Sequence, residues 1–202
     1  MKNTINIKNR EQGPETTVSS IRRIEDIKAI TKMIQDSPRD LLLFTMGINN
    51  GLRTGDLLKL HVQQVRDMKA GDTLTIREGK TGKNNILVVN KAVYKTLQNY
   101  LDKTKPHDDD YLFLSRKGLN RPLTVDAVRK LIKKWTSAIN LNKENYGAHT
   151  LRKTWGYHQR LTYGVGFELI AKRYNHSSPA YTMRYLGITD KEIKDVLMNE
   201  IG

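Results

Sequence analysis

Apolar residues recur at helical spacing along most of this 202-residue chain, and that spacing is the strongest constraint on its fold. An isoleucine at every third or fourth position marks the first such segment, and the longest ends in a tryptophan and an isoleucine. These patterns predict helices over residues 22–36, 39–49, 91–102 and 125–139, of which the second is apolar on most sides and expected to be central. Further helices are expected from Gly147 onward, the last of them in the tail. The chain is therefore expected to be mostly helical.

One stretch alternates between apolar and polar residues instead. Residues 73–78 read TLTIRE, residues 86–89 form a second apolar run, and the segment between them is rich in Gly, Lys and Asn. This predicts a β-hairpin with Lys80 at the end of its first strand. The turn is not a phosphate-binding P-loop, because it lacks the GxxxxGK[ST] spacing and a strand follows it. With another short strand expected at residues 111–114, the fold class is α+β, mostly helical with a small antiparallel sheet.

The charge of the chain points to its partner. The chain has 35 Lys and Arg residues and 21 acidic residues, which gives a net charge of +14 and a pI near 9.9. This excess favours a polyanion such as DNA, although a solvated lysine-rich surface is the alternative. The absence of cysteine excludes disulfides, thiol catalysis and Cys-ligated zinc. With no apolar run of ~18 residues, a cytoplasmic protein without a membrane partner is expected.

Domain organisation is expected to be simple. Residues 1–19 are polar, lack periodicity and contain Gly13-Pro14, which predicts a flexible arm or linker. Residues 20–202 are then one folded domain, a size that can bury a substantial core. The run Asp108-Asp109-Asp110 is interpreted as a solvated acidic turn, because nothing after it has the spacing of a calcium loop. No metal site is expected.

Candidate catalytic side chains are spread along the whole chain. One arginine follows a predicted buried helix, one lysine lies in the hairpin, and a His and an Arg share a helical face at i and i+3. A second histidine lies in YNHSS, and a tyrosine follows it nine residues later. Taken singly, each of these residues fits an ordinary solvated or half-buried position. In chain order they are Arg53, Lys80, His149, Arg152, His176 and Tyr185.

Together these motifs resemble the tyrosine recombinases, also called phage integrases. The sequence GLRTGD surrounds Arg53, GKTGK contains Lys80, HTLRKT contains His149 and Arg152, and MRY ends at Tyr185. The resemblance covers roughly residues 20–190, and the paired HxxR and H-to-Y motifs make it specific. It implies an integrase-like catalytic domain without the N-terminal domain that usually clamps the other side of the DNA. The chain is then either a catalytic fragment or a minimal recombinase.

Three positions depart from the pattern of that family. Asp56 stands where the family usually has a glutamate that supports the first arginine. Tyr174-Asn175 replaces the usual Leu-Gly before His176, and no Asp follows His149. None of these departures removes a catalytic group, so an intact site is expected.

The resemblance also implies a mechanism. Arg53 and Arg152, with help from His176, hold the oxygens of a DNA phosphate while Tyr185 attacks the phosphorus. His149 accepts the phenolic proton, which nearby cations make easier to lose, and Lys80 protonates the leaving 5′ oxygen. The product is a 3′-phosphotyrosine, and neither a cofactor nor a metal is needed. Tyr181 is the competing nucleophile, but the spacing from the histidine favours Tyr185.

Double-stranded DNA is the expected partner, bound by a tetramer although the free protein could be a monomer. A basic stripe on the helix at 125–139 fits a phosphate backbone, and further cations flank the catalytic motifs. Two rivals remain open: a type IB topoisomerase, and a DNA-binding accessory protein without turnover. The residues expected to contact DNA are Lys83, Arg129, Lys130, Lys133, Lys134 and Lys153.

Overall fold

The computed structural model describes residues 18–188, 198 and 200. The predicted arm up to residue 17, and the predicted helix of the tail, lie outside the described residues. The helices are α1 (Ile24–Met33), α2 (Pro38–Asn50), α3 (Thr54–Leu57), α4 (Lys91–Thr104), α5 (Val125–Ala138), α6 (Thr150–Leu161), α7 (Phe167–Tyr174) and α8 (Pro179–Leu186). The strands are β1 (Thr73–Arg77) and β2 (Asn84–Val88). The α+β class with a small antiparallel sheet is therefore confirmed.

Helix ends fall where the local sequence predicts them. Asn90 and Thr124 accept hydrogen bonds from the third backbone N–H after them, at the starts of α4 and α5. Ser178, followed by Pro179, does the same for α8. Gly51 and Gly187 end α2 and α8 in the left-handed conformation, with φ values of 60° and 68°.

Strands β1 and β2 form the predicted hairpin, with Thr73 opposite Val88 and Arg77 opposite Asn84. The prediction of a strand at residues 111–114 is wrong. Tyr111 and Leu114 make only isolated bridges, to His61 and to Pro122. Two backbone hydrogen bonds flank the second bridge, from Leu123 N–H to the Phe113 carbonyl and from Ser115 N–H to the Arg121 carbonyl, but no ladder continues beyond them.

A large core is built around α2, which is buried on most of its surface. Leu42, Leu43 and Met46 are fully buried, and Phe44 meets the edge of the Trp135 ring of α5. Burying each of these side chains contributes roughly 1.5–3 kcal/mol. At Gly47 the backbone of α2 lies against Leu151 of α6, where an added Cβ would be only 2.5 Å from a leucine methyl. Helix α6 is thus held directly on the core.

A second, smaller core lies under α7 and α8. Its buried members are Ile170, Tyr174, Leu186 and Ile188, with Trp155 of α6 packed against them. Helix α6 approaches this core closely, because a Cβ at position 156 would lie 2.2 Å from the Tyr174 hydroxyl oxygen. None of the helices in the described part of the chain has the length and hydrophobicity needed to cross a bilayer.

Candidate active site

His149 and Arg152 enter the site from the first turn of α6. Arg152 is only 2% exposed. It donates through Nη1 to the Gly51 carbonyl and through Nη2 to the Tyr174 carbonyl, both at 2.8 Å. Its guanidinium carbon also lies 4.2 Å from the centre of the Tyr174 ring. The main chain and an aromatic ring, rather than a carboxylate, therefore fix this arginine.

Arg53 reaches the same place from the residue before α3. The Thr54 hydroxyl donates to the Ala148 carbonyl at 2.7 Å, which ties α3 to the turn that precedes His149. Arg53 Nη1 lies 2.5 Å from an oxygen of Glu78, a carboxylate with no exposed surface. The arginine side chain keeps 17% of its surface exposed, so it can still meet a ligand.

A cleft of about 340 Å³ opens beside Arg53, between α3, the hairpin turn and the start of α6. Lys80 lies on its hairpin wall and His149 on the opposite wall. Lys59, which the sequence did not single out, also lines it. Three cations therefore line the cleft against one carboxylate, that of Asp56, and the net positive charge favours anions as ligands.

Tyr185 faces this cluster from α8. Its hydroxyl lies 3.5 Å from His149 Nδ1, at the outer limit of a hydrogen bond. Its ring meets the Tyr174 ring edge-on at 5.5 Å, and the Lys153 ammonium lies 4.8 Å from its centre. The structure therefore brings the tyrosine and the HxxR motif together within one chain.

His176 lies beside both tyrosines of the predicted motif. Its ring is 5.0 Å from that of Tyr185 and 4.8 Å from that of Tyr181. Its Nδ1 is 3.0 Å from the Thr182 hydroxyl, an atom of α8 itself. The histidine thus connects the end of α7 to the helix that carries Tyr185.

Burial dominates the protonation of the site. It raises the pKa of the Tyr185 hydroxyl to about 12, although Arg152 and Arg53 act in the opposite direction. Burial, followed by the charge of Arg152, lowers the pKa of His149. The same causes lower the pKa of His176 to about 4. Both arginines favour the phenolate, as predicted, but burial outweighs them in the free protein, so the hydroxyl stays protonated. The lowered pKa of His149 supports a neutral imidazole that can accept a proton.

The cations predicted to contact DNA fall into two groups. Lys83 is exposed on the hairpin, and all four cations of α5 are exposed. Among the α5 residues, Arg129 and Lys130 already pair with Asp126, at 2.5 and 3.0 Å. Lys153 differs, because it is only 7% exposed and faces the Tyr185 ring instead of an open surface.

Several residues that shape the site were missed from the sequence. Glu78 continues the inward face of β1 beyond the buried Ile76, and this period-two pattern could have revealed it. Arg173 donates through Nε to the Asn50 carbonyl at 3.0 Å and through Nη1 to the Asn85 side chain. No local pattern signals that contact. In the described ranges, no three His, Cys, Asp or Glu side chains group as a metal site.

Comparison with known proteins places the chain in a family. The profile of the phage integrase family matches residues 22–192, and the chain belongs to that family. It is 34% identical over 176 residues to the probable integrase/recombinase YoeC of Bacillus subtilis. That alignment covers 86% of this chain and 91% of YoeC. It is 28% identical over 174 residues to the tyrosine recombinase XerA of Pyrococcus horikoshii, but spans only 58% of that protein.

Solved structures share the fold. The crystal structure of XerA recombinase superposes with a TM-score of 0.72 at 21% identity, over 93% of this chain and 68% of that one. The XerH site-specific recombinase bound to its palindromic difH substrate gives a TM-score of 0.71 at 20% identity. It matches 92% of this chain and 53% of the XerH chain. The described fold is therefore that of a tyrosine recombinase catalytic domain.

Proposed function

We propose that this chain carries out site-specific DNA recombination by cutting and rejoining one strand at a time. The observation that carries the proposal is the Tyr185 hydroxyl 3.5 Å from His149 Nδ1, inside a cluster that contains both arginines. Membership of the phage integrase family supports the same reaction. The substrate is double-stranded DNA, bound in the cytoplasm through the cationic cleft and the basic face of α5.

In the proposed reaction, the Tyr185 oxygen attacks phosphorus and the bond from phosphorus to the 5′ oxygen breaks. The phenolic proton passes to neutral His149, and Lys80 supplies a proton to the departing 5′ oxygen. Arg53 and Arg152 stabilise the charge that grows on the non-bridging oxygens. Loss of one such donor commonly lowers kcat on the order of 100-fold to 1000-fold.

Strand exchange then follows from the covalent intermediate. The 3′-phosphotyrosine retains the energy of the phosphodiester, so a new 5′-hydroxyl can reverse the attack without ATP. Because burial raises the pKa of Tyr185, the hydroxyl stays protonated until it attacks, and its proton leaves to His149 in that step. We expect tetramers on two DNA duplexes and monomers in the absence of DNA.

A nicked DNA duplex, in which the cut strand cannot be rejoined, tests the proposal. The wild-type chain should accumulate a covalent protein–DNA adduct, visible on a denaturing gel. Tyr185→Phe should abolish the adduct while DNA affinity stays within about threefold, because only the attacking oxygen is lost. Tyr181→Phe is the matched control and should still form it. If the adduct forms in Tyr185→Phe but not in Tyr181→Phe, the nucleophile is Tyr181 and the proposal is wrong.

The same assay separates the proposal from its two rivals. An accessory DNA-binding protein would bind the duplex and never form the adduct. A topoisomerase would form the adduct and relax supercoiled plasmid without exchanging strands between two duplexes. Recombination of two labelled duplexes that carry the natural target site is therefore the decisive readout.

A further inference from the structure

Glu78 is the most deeply buried ionised group beside the candidate site. Its side chain has no exposed surface and lies 2.5 Å from Arg53 Nη1. The Thr81 hydroxyl donates to one of its oxygens at 2.6 Å, and the Asn85 amide donates to the other at 2.8 Å. A carboxylate with both oxygens occupied and a cationic partner is rigidly held.

Asp56 does not hold Arg53, although it occupies the position where the family pattern has a supporting acid. Its Oδ1 accepts a hydrogen bond from the Gly79 backbone N–H at 2.8 Å. It thereby fastens the hairpin turn to α3. The ion pair to Arg53 is made from the hairpin side, by Glu78. The two acids thus have separate tasks, and only one of them meets the arginine.

A network of side chains anchors Glu78 to the rest of the fold. Asn85, which binds Glu78, also accepts from Arg173 of α7. Arg173 in turn donates to the carbonyl of Asn50 at the end of α2. Through Arg173 and Asn85, the carboxylate is therefore linked to the ends of α2 and α7 as well as to its own hairpin.

We propose that Glu78 is a positioning residue of the recombination reaction, which orients Arg53 and fixes its distance from Lys80. Only Gly79 separates Glu78 from Lys80, and the Glu78 backbone also closes the turn, accepting from Gly82 N–H at 2.9 Å. Loss of the ion pair therefore lets Arg53 move relative to the turn that carries Lys80. The inference rests on the proposed DNA cleavage, in which Arg53 binds the non-bridging oxygens and Lys80 protonates the 5′ oxygen of the same phosphate.

The charge of Glu78 is needed as well as its shape. A neutral glutamine would have to accept from Arg53, Thr81 and Asn85 with a single amide oxygen. Its NH₂ group would face a donor, either the Asn85 amide or the pair of Arg53 and Thr81, so at least one contact must break. In either orientation the charge that attracts Arg53 is lost, and the arginine is held less firmly. A misplacement of about 1 Å can cost on the order of 100-fold in rate.

Glu78→Gln in the full-length chain tests the proposal on the nicked duplex. Single-turnover adduct formation at saturating protein should slow by about 30-fold, with DNA affinity within about threefold. Thermal melting reports whether the variant is folded. Thr81→Val removes one hydrogen bond to Glu78 from an exposed residue and should slow cleavage by about threefold. Thr75→Val, the same change at an exposed position of β1, should leave the rate unchanged.

A double-mutant cycle with Arg53→Lys distinguishes positioning from general loss of structure. If Glu78 acts through Arg53, Glu78→Gln should slow the Arg53→Lys protein by no more than about threefold. Equal slowing in both backgrounds, or an unchanged rate in Glu78→Gln, would overturn the inference. Wild-type protein that forms no adduct at all would instead refute the proposed function.

Discussion

The arginines and the tyrosine of this site rest on two cores of very different size. Arg53, His149 and Arg152 are attached to the large core around α2 and α6. Tyr185 is carried by α8, on a core that has four buried members within residues 18–188. Fewer buried contacts mean a lower free energy of local opening. From this difference we expect the cationic cluster to keep its geometry without DNA and the tyrosine to be the part of the site that moves most easily.

The largest effect is expected when each core is weakened in turn, which tests whether the two cores open independently. Leu186→Ala in the small core and Leu43→Ala in the large core should each cost about 2–5 kcal/mol locally. In native-state hydrogen exchange, Leu186→Ala should raise the exchange rates of the amides in α7 and α8, while those of α2 keep their protection. Leu43→Ala should speed all of them. Equal acceleration of α2 in both variants would show that the cores open as one unit.

Lowering the pH tests how the Glu78 carboxylate stabilises the part of the site that rests on the large core. Burial alone would raise the pKa of Glu78, but hydrogen bonds from Thr81, Asn85 and Arg53 lower it from 4.5 to about 2. A lowered carboxylate pKa stabilises the fold above pH 4.5, by up to about 3 kcal/mol, and that stabilisation is lost as the pH falls towards 2. The stability gap between wild type and Glu78→Gln should therefore close on acidification.

Urea unfolding at pH 7, 4 and 3 measures that gap. The lowered pKa of His176 also makes the fold less stable in acid, but this loss is common to both proteins and cancels. Asp126→Asn is the control, because that carboxylate is exposed and pairs only with neighbours on α5. A gap that stays constant with pH would mean that Glu78 is not the ionised partner of Arg53.

The smallest effect is expected from changes to the basic face of α5, a helix whose buried side packs on the large core. Replacing both Lys133 and Lys134 with Gln should lower the slope of log affinity against log salt by about 2, if each contacts one phosphate. The rate of adduct formation at saturation should not change. Lys103→Gln on α4 is the matched control, and an equal slope change there would argue against a defined DNA-binding face.

The sequence predicted those parts of the site that depend on local patterns. Helical periodicity, the Thr124 cap and Pro179 placed the helices, and alternation placed the hairpin with Lys80 in its turn. The spacing of the HxxR motif placed His149 and Arg152 on the same turn of α6. Such features follow from backbone geometry over a few residues, and for that reason they can be inferred without a fold.

The long-range contacts could not be predicted in this way. Tyr174 was noted only as a departure from a family pattern, yet its ring lies beside Arg152, His176 and Tyr185. The burial that raises the Tyr185 pKa likewise depends on residues from distant parts of the chain. Spacing along the sequence gives the direction of a side chain but not what lies opposite it.

The close approach at Gly156 has a consequence for anyone who wishes to retarget this protein. The exposed face of α5 tolerates randomisation, because its side chains end in solvent. Position 156 does not, since even alanine would collide with the Tyr174 hydroxyl and push the ring that contacts His176 and Tyr185. A library designed for new target sites should keep glycine at position 156 and vary the exposed residues of α5.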